Sequence, residues 1–473
     1  MKGISFSSSS GNHYYYDDDT GIIFPQWQWA DNKPPYAGSI IPSPFGNRSL
    51  PPENVQVEMI RQHHTGEAYG FRHLILQVHG GCNLRCQYCV FSDSYPYTRS
   101  YDDGRMSFQT ARKAVDYFIG QHRLIRKRNP HSKPILGFYG GEPLLAFDLI
   151  KETIGYFNKQ YRDEFPDTML TLTTNGTLFT EGVQDFLVNN EFSIVISLDG
   201  DRETHDRNRR KTDGAGSFED IIHNIRTFRK RYPDYVRYGI STCYDYKTDF
   251  FRMKEFFDNE KLFVVNISQV DTDNTTYYDR FSENDRKEFL DNMKKFYESY
   301  ARSARENTIK KDSFLFSFIG VKYAGFAFHP VMHERRPAFL PYTAACVPAE
   351  KLFVAGDESL HICERINNHF PIGNLDEGVD YTRVSALIDN YNQQVCGNCS
   401  RCRVTRFCNR CFANVAVDGT FRLRPGVCNA IYQQTLDSLI EYVDIVEYRP
   451  ELLDSITVEY HKNILEKVGY FVE

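Results

Sequence analysis

The 473-residue chain lacks any apolar run approaching the ~18 residues that span a bilayer, so no transmembrane segment is expected. Its N-terminus, Met1-Lys2-Gly3-Ile4-Ser5-Phe6 and then four serines, has no apolar core with a cleavage site, which predicts a cytoplasmic protein. The net charge of −6 is small for this length, so no electrostatic feature predicts binding to nucleic acid or an anionic membrane. No internal repeat is visible. The composition, 41% hydrophobic and 25% charged, is that of an ordinary globular protein.

The 12 cysteines are unevenly distributed. An even number permits disulfides, but a long intracellular chain does not need them, and clustered cysteines in such a chain favour metal ligation. Three lie within residues 82–89 and eight lie between Cys346 and Cys428. Cys243 stands apart in the strand-like run 238–243 and is most simply a buried small hydrophobe.

The first cysteine group, Cys82, Cys86 and Cys89, has C-x3-C-x2-C spacing. A [4Fe–4S] cluster normally takes four Cys ligands, so three thiolates leave one iron open, as a catalytic metal site requires. Zinc and coincidence are the alternatives, and a C-x2-C pair alone would favour zinc. The third cysteine, and Tyr88 just before the last one, favour iron. The triplet follows a strand-like apolar run at 74–78. The loop after a first strand is where a barrel enzyme carries its catalytic groups.

Strand-like and helical patterns alternate from about residue 69 to 270. The strand candidates are 72–78, 135–139, 168–173, 193–197, 235–243 and 262–268. The helix candidates are 107–122, 147–163, 180–190, 217–231 and 250–259. Alternation of this kind predicts βα units and a parallel sheet. Six repeats fit a partial (β/α)6 barrel, although a doubly wound open sheet would produce the same pattern.

Three further motifs follow successive strand candidates. These are Gly140-Gly141-Glu142-Pro143, then 173–177, and then 197–200, which continues to 205–209. Each alone is compatible with an ordinary strand-to-helix turn. Together they lie at the strand ends that form the catalytic face of a barrel.

The triplet and these motifs resemble those of radical S-adenosylmethionine (SAM) enzymes, and this block closely resembles sulfatase-maturating and peptide-maturing members. The resemblance implies the partial barrel and an open iron that chelates SAM. An electron then cleaves SAM to methionine and a 5′-deoxyadenosyl radical, which abstracts a substrate hydrogen. Glu142 with Gly140 and Gly141 would hold the SAM amino group, and Arg209, which Arg207 and Arg210 neighbour, would pair with its carboxylate. The further implied cofactor contacts are Tyr88 near the adenine, Asn175, Ser197 at the ribose or carboxylate, and Asp199.

The late cysteines are Cys346, Cys363, Cys396, Cys399, Cys402, Cys408, Cys411 and Cys428. Eight thiolates suffice for two [4Fe–4S] clusters or for two zinc sites. Their layout, with Gly356 between the first two, resembles the SPASM auxiliary-cluster domain, although two spacings depart from it. The resemblance implies an outer cluster on Cys399, Cys402, Cys408 and Cys428. It implies an inner cluster on Cys346, Cys363 and Cys411, with Cys396 as the fourth ligand.

Glu364 follows Cys363, where sulfatase maturases carry a catalytic aspartate. A carboxylate one methylene longer is still able to take a proton, so Glu364 is the candidate catalytic residue. The departure weakens a sulfatase-maturase assignment. The alternative is a surface salt bridge with Arg365 or Arg403.

The remaining segments are divided by composition. Residues 1–68 form an N-terminal extension with a hairpin pattern at 14–24 and a Pro/Gly-rich linker at 33–52, which is either a leader-peptide clamp or a cap. Residues 69–270 form the barrel and 271–340 a connection with a helix at 282–305 and aromatic stretches at 314–318 and 323–328. Residues 341–432 are the auxiliary domain, and 433–473 a tail with a helix at 435–446.

The leading functional hypothesis is a maturase of a ribosomally made precursor peptide that carries three [4Fe–4S] clusters and SAM. The radical would remove a hydrogen from Cα or Cβ of a residue, and a cross-link would form, with a thioether favoured over a carbon–carbon or carbon–oxygen bond. An auxiliary cluster would bind the substrate thiolate or accept the remaining electron, and a flavodoxin or ferredoxin would be the electron donor. The alternatives are formylglycine formation in a sulfatase and a non-catalytic iron–sulfur or zinc protein that carries electrons or binds peptide.

Overall fold

The computed structural model describes residues 3–18, 21–26, 53–66, 71–306, 308–310, 313–333, 346–450, 458–460 and 462–464. The predicted linker at 33–52 and its neighbours 27–32 lie outside the described residues. Among the described residues, no helix combines the length and the apolar character needed to cross a membrane.

The N-terminal extension begins with a three-stranded antiparallel sheet, one strand more than the predicted hairpin. Its strands are β1 (Gly3–Ser7), β2 (His13–Asp17) and β3 (Ile23–Pro25), in that order. The buried Asp18, just after β2, accepts hydrogen bonds from the backbone nitrogens of Thr405 and Arg406, each at 3.2 Å. The extension is therefore attached to the cysteine-rich C-terminal region. Helix α1 (Glu53–Gly66) follows.

Six parallel strands form the centre of the molecule, as predicted, and pair in chain order. They are β4 (His73–His79), β5 (Ile135–Gly140), β6 (Met169–Thr174), β7 (Ser193–Ser197), β8 (Tyr238–Tyr244) and β9 (Val264–Gln269). The strand order of a doubly wound sheet reverses at a switch point, whereas β4 to β9 follow one another without a reversal. The sequential order identifies a partial (β/α)6 barrel.

The helices between these strands bury one apolar stripe against the sheet. They are α2 (Phe108–Arg126), α3 (Phe147–Gln160), α4 (Glu181–Asn189), α5 (Arg202–Asn208), α6 (Phe218–Arg231) and α7 (Phe250–Glu260). Three of them begin at a side-chain cap, provided by Ser107, Asp201 and Asp249. These caps satisfy backbone N–H groups at the helix starts close to the strand ends.

The C-terminal region extends the same sheet, which the sequence did not predict. Strand β10 (Lys351–Val354) pairs in parallel with β4, and antiparallel β11 (Ser359–His361), β12 (Gly373–Asn374) and β13 (Gly378–Val379) continue outward. A single ten-stranded sheet results. The short hairpin of β14 (Ala416–Val417) and β15 (Thr420–Phe421) is separate.

The remaining helices are α8 (Glu283–Glu306), α9 (Phe314–His333), α10 (Tyr381–Val395), α11 (Phe412–Val415) and α12 (Val427–Tyr448). Helix α8 agrees with the predicted helix at 282–305. The aromatic stretch at 314–318 is the start of α9, and Phe314, Phe316 and Phe318 are buried core residues, as expected. The predicted tail helix is longer than expected, because α12 begins before Cys428.

Candidate functional site

The first cysteine triplet lies on the loop after β4, at the carboxyl end of the central strands. Burial, together with the nearby Glu142 and Cys89, raises the pKa of the Cys82 thiol to about 11. Burial also raises the pKa of Cys86 above its usual range, with contributions from the Cys89 and Cys82 thiols. The three thiols thus lie together in a desolvated environment that opposes thiolate charge.

The Gly-Gly motif after β5 packs against the start of this loop. Gly140 has a φ of +142°, and a Cβ there would collide with the carbonyl oxygen of His79. A Cβ on Gly141 would collide with the carbonyl oxygen of Gly81. The two glycines let the β5 terminus run directly beside the loop that carries Cys82.

Glu142 is 1% exposed, and its carboxylate is held from three directions. It accepts hydrogen bonds from the hydroxyl of Thr174 (2.7 Å), the backbone nitrogen of Asn175 (2.7 Å) and the backbone nitrogen of Leu144 (3.0 Å). Burial raises its pKa from 4.5 to about 7, although these three hydrogen bonds act in the opposite direction. Glu142 is therefore close to the point where it gains or loses a proton at neutral pH.

Asn175 connects Glu142 to the cysteine loop. Its amide nitrogen donates to Asn83 Oδ1 at 2.9 Å and lies 3.6 Å from Cys82 Sγ. Neither Asn83 nor Thr174 was among the predicted site residues. Thr174 belongs to the motif at 173–177, and Asn83 lies between two of the cysteines, so position in the sequence was the available signal for both.

A second polar group, formed by Arg209, Asp199 and Tyr88, lies beside Cys86. Arg209 Nε donates to Asp199 Oδ2 at 2.9 Å, and the Tyr88 hydroxyl donates to the same oxygen. The guanidinium lies 5.3 Å from the centre of the Tyr88 ring and 3.9 Å from Cys86 Sγ. Burial opposes the charge on Arg209, but Asp199, Tyr88 and Cys86 together raise its pKa well above its usual range. A buried positive charge thus faces the triplet.

The structure separates Arg209 from its two neighbours. Arg207 Nη2 pairs with Asp245 at 2.6 Å, and Arg210 Nη1 donates to the Gly214 carbonyl at 3.1 Å on the surface. His205, which was not predicted as a site residue, accepts from the backbone nitrogen of Asp199 at 3.2 Å. This hydrogen bond helps to fix the backbone position of Asp199.

Other residues complete the walls. Ser197, the last residue of β7, is half-buried at the same edge of the sheet. Cys243 is half-buried rather than fully buried, and its backbone nitrogen donates to Asp199 at 3.0 Å. Tyr101, for which the sequence carried no signal, hydrogen-bonds the Cys89 thiol and lies under the Arg85 guanidinium.

The late cysteines fall into spatial groups. Burial raises the pKa of Cys408 to about 12, and the nearby thiols of Cys399, Cys402 and Cys428 raise it as well. Burial likewise raises the pKa of Cys363 to about 12, with contributions from Glu364 and Cys411. The first group has the membership of the predicted outer cluster, and the second contains two of the residues predicted for the inner one.

The other two cysteines occupy different settings. Cys396 follows α10, is 6% exposed and packs in the main hydrophobic core. Cys346 is half-buried. The ligand roles of both remain predictions.

Glu364 lies half-buried beside Cys363, close to Tyr139 and Arg99. Its Oε2 atom is buried and accepts no hydrogen bond from any residue that the structure describes. Arg365, the predicted surface partner, pairs instead with Asp271 at 3.3 Å.

The donor set fits iron–sulfur clusters. No disulfide links any of the 12 cysteines, all of which lie in the described part of the chain. Among the described residues, no three His, Cys, Asp or Glu side chains converge closely enough to hold one metal ion. In a [4Fe–4S] cluster each thiolate binds its own iron, so the ligands need not converge on one point. One buried and two half-buried thiols beside the buried Arg209 cation suit an anionic cluster of this kind.

Comparison with known proteins agrees with this chemistry. Residues 76–249 match the profile of the Radical SAM superfamily. The chain is 31% identical over 173 residues to the uncharacterized protein MJ0907 of Methanocaldococcus jannaschii, covering 37% of this chain and 53% of that protein. It is 30% identical over 192 residues to a cysteine-type anaerobic sulfatase-maturating enzyme of Clostridium novyi, covering 39% of this chain and 48% of that enzyme. The chain thus spans about half the length of these curated relatives.

A likeness in fold extends further along the chain. The structure of native anSMEcpe with bound AdoMet and Cp18Cys peptide superposes with a TM-score of 0.54 at 19% identity. The match covers 82% of this chain and 99% of that one, so it reaches well beyond residues 76–249. Residues 76–249 thus match the Radical SAM superfamily, and the chain is related by distant sequence and by fold to the anaerobic sulfatase-maturating enzymes.

Proposed function

We propose that the chain is a maturase of a ribosomally made precursor peptide, in which it installs a cross-link, with a thioether favoured over a carbon–carbon or carbon–oxygen bond. The observation that carries this proposal is the shared sheet. Strand β10, which precedes Cys363, pairs along β4, which leads to Cys82. A second cysteine region built onto the first strand of the barrel suits a substrate that is handled by both.

Within this proposal, Cys82, Cys86 and Cys89 hold a [4Fe–4S] cluster, and the eight late cysteines hold two more. With SAM bound, the first cluster supplies a 5′-deoxyadenosyl radical that abstracts hydrogen from the substrate. Glu142 receives the SAM ammonium group, since its carboxylate lies beside Asn175 at the cysteine loop. Arg209 receives the carboxylate, because its guanidinium is held near Cys86 and keeps further N–H donors beyond the one bonded to Asp199.

A peptide substrate is supported by the relatives. The anSMEcpe structure that superposes on this chain holds a bound Cp18Cys peptide. A cysteine substrate residue is consistent with the cysteine-type name of the Clostridium novyi relative. Forming a thioether from a thiol and a C–H bond removes two hydrogen atoms in total. The 5′-deoxyadenosyl radical would take one, and the other would leave as a proton and an electron, with an auxiliary cluster accepting the electron.

The second candidate function is formylglycine formation in a sulfatase, which the names of the curated relatives favour. The carboxylate of Glu364 would then take the proton from the substrate. Its unbonded, buried Oε2 supports such a role. Its extra methylene, compared with the family's aspartate, supports the first candidate instead.

The experiment that tests the proposal uses the full chain, reconstituted anaerobically with iron and sulfide and supplied with SAM and dithionite. One reaction contains a cysteine-containing peptide encoded beside this chain, and the other contains a peptide from a sulfatase. Loss of two hydrogens with retention of sulfur in the first peptide, read by mass spectrometry, is the expected result. Exchange of sulfur for oxygen in the sulfatase peptide, with no change in the first, would establish the second candidate.

Two variants sharpen the distinction between the candidates. Glu364→Gln keeps the length of the side chain but cannot take a proton, whereas Glu364→Asp restores the carboxylate at the family's length. If the chain makes formylglycine, the first variant loses activity and the second retains it. If the proposal is correct, Glu364→Gln still produces the cross-link. For the unmodified chain and for each variant, a parallel reaction without peptide is assayed for 5′-deoxyadenosine. Its formation reports whether the SAM site is intact.

A further inference from the structure

A large cavity lies outside the SAM site, between α8 and α12. It has a volume of about 1280 Å³ and is closed at one side by Ser9 and Ser10, in the turn between β1 and β2. Tyr244 and Gln269, at the carboxyl ends of β8 and β9, line another side. Pockets for small ligands are typically about 300–1,000 Å³. This cavity has room for several residues of a peptide.

Strand β8 separates the cavity from the SAM site and connects the two. Side chains alternate across a strand. Cys243 packs beside Tyr88, and its backbone nitrogen bonds Asp199, whereas the next residue, Tyr244, lines the cavity. An occupant of the cavity therefore lies one strand away from the reacting position and does not compete with SAM.

The floor of the cavity carries an unsatisfied polar group. Tyr300 is 2% exposed and lines the cavity, and its hydroxyl finds no hydrogen-bond partner among the residues that the structure describes. The hydroxyl oxygen itself is buried beneath the cavity surface. The neighbouring polar groups are paired within the chain, since Lys322 and Tyr323 both bond Glu441.

The rim of the cavity is unusually apolar. Leu290 is 54% exposed and Tyr448 is 58% exposed, the two highest values among the exposed large hydrophobic side chains that the structure describes. Both line this cavity. Exposed apolar groups around a polar-floored cavity mark a binding site for another molecule.

The two walls carry opposite charge. Helix α12 contributes Asp437, Glu441 and Asp444, and these carboxylates are bonded within the chain, to Gln433, Lys322 and Ser9 respectively. Helix α8 contributes a basic wall of Arg286, Lys294, Arg302 and Arg305, with Glu298 as its one acidic member.

The basic wall is incompletely neutralised. Arg286 pairs with Glu283, and Arg305 lies over the Tyr448 ring. In the described part of the chain, Lys294 and Arg302 take part in no ion pair within 4.0 Å, and Glu298 lies one helical turn from each. Taken over all the side chains that line the cavity, six cationic residues exceed four anionic ones by two, so the net charge of the lining is positive.

We propose that this cavity binds an extended, acidic segment of the precursor peptide at a distance from the residue that reacts. Acidic side chains of that segment face Lys294 and Arg302, and its apolar side chains contact Leu290 and Tyr448. The proposal rests on the function proposed above, because it names where the substrate of that reaction is held.

The test measures binding to the full, reconstituted chain by fluorescence anisotropy. The probe is a fluorescein-labelled peptide of about ten residues that alternates Glu with Leu or Tyr, a length suited to this volume. The matched peptide replaces every Glu with Lys. We expect the acidic peptide to bind at least about tenfold more tightly than the basic one, because charge complementarity decides between them.

Variants locate the binding site. Lys294→Glu combined with Arg302→Glu should weaken binding of the acidic peptide at least about tenfold. Lys295→Glu is the matched control, since Lys295 is exposed on the same helix but does not line the cavity. It should leave binding within about twofold. Equal binding of both peptides, no binding, or an equal loss in the control would overturn the proposal.

The failure of this inference is distinguishable from failure of the proposed function. Anisotropy requires no turnover, whereas 5′-deoxyadenosine formation by the unmodified chain reports the SAM chemistry alone. A chain that cleaves SAM but does not bind the acidic peptide retains the radical chemistry and lacks this docking site. A chain that binds the peptide at the cavity but does not cleave SAM overturns the proposed function and keeps the site.

Discussion

The two cysteine regions rest on different kinds of structure. The loop with Cys82 follows a seven-residue strand, and backbone hydrogen bonds join it to its surroundings, from Arg85 to Arg210 at 2.7 Å and from Gln87 to Asn208 at 3.0 Å. Cys399 to Cys408 lie instead on two three-residue 3-10 helices and their connections. A regular strand and its backbone bonds position the first group. Short 3-10 helices, and the bonds of Asp18 to Thr405 and Arg406, position the second.

The difference teaches how each region obtains its order. At the barrel site, the backbone nitrogen of Asn175 donates a hydrogen bond to Glu142, and Arg209 donates one to Asp199. Such preorganised polar groups lose little freedom on binding. The segment from Cys399 to Cys408 is built on short 3-10 turns, so we expect metal binding to contribute to its folding energy directly. The predictions below separate the two regions.

The largest effect is expected for Cys86→Ala in the barrel loop. Removing one of three thiolate ligands should abolish formation of 5′-deoxyadenosine, to below about one thousandth of the unmodified rate. Chromatography of the anaerobic reaction measures it. Cys243→Ala is the matched control, because it removes a neighbouring thiol outside the triplet and should keep the rate within a few-fold. Unchanged 5′-deoxyadenosine formation by Cys86→Ala would refute the assignment of the triplet.

The second effect concerns the C-terminal region alone. Cys408→Ala should lower the iron content from about 12 to about 8 per chain, because one cluster of four irons is lost. It should abolish the peptide product but leave 5′-deoxyadenosine formation without peptide. Iron and sulfide assays with mass spectrometry of the peptide measure these changes. An iron content that stays near about 12, or that was about 4 with zinc in the unmodified chain, would contradict the proposed auxiliary clusters.

The third effect tests preorganisation at the barrel site. Asp199→Asn keeps the side-chain shape but leaves Arg209 buried without its counter-ion, which is costly. We expect the KM for SAM to rise about tenfold or more, since the guanidinium loses the partner that holds it. Steady-state kinetics measure it. Asp201→Asn, two residues along and still able to cap α5, should change KM less than about twofold.

The smallest effect is a pH dependence at Glu142. Its pKa of about 7 lies above the ordinary 4.5. Between these two pH values the folded chain without SAM holds a proton that the unfolded chain has lost, so the folded chain becomes less stable as pH rises from one value to the other. The SAM ammonium needs the carboxylate form. The affinity for SAM should therefore fall up to about tenfold per pH unit below pH 7. Titration calorimetry from about pH 5.5 to 7.5 measures it.

Glu142→Gln is the control for that prediction. It cannot ionise, so its weaker affinity for SAM should not vary over the same pH range. A flat profile in the unmodified chain as well would show that Glu142 does not receive the ammonium group.

Local patterns predicted the barrel well. The six strands lie within a few residues of their predicted positions, since alternation of strands and helices is a short-range signal. The motifs around Glu142, Asn175 and Asp199 meet in space because the carboxyl ends of parallel strands share one edge. The grouping of Cys399, Cys402, Cys408 and Cys428 came from a family resemblance, not from periodicity.

Long-range contacts were beyond the reach of local sequence patterns. Nothing local indicates that Leu352 lies beside Leu74, or that Asp18 bonds Thr405, because neither pair shares a periodic pattern. The start of α9 was ambiguous, since a short run of aromatic residues suits a strand or a buried helix equally. The cavity between α8 and α12 depends on how separate helices pack, which no single segment encodes.

The pairing of β10 with β4 has a consequence for synthesis of the chain. Strand β4 emerges early from the ribosome, but its outer edge gains a partner only when Lys351–Val354 has been made. At usual rates of synthesis this interval is on the order of tens of seconds. Throughout it, the edge of an apolar strand remains open to pairing with other chains. Slower expression at low temperature, with a chaperone present, should therefore raise the yield of native enzyme more than any change to the barrel.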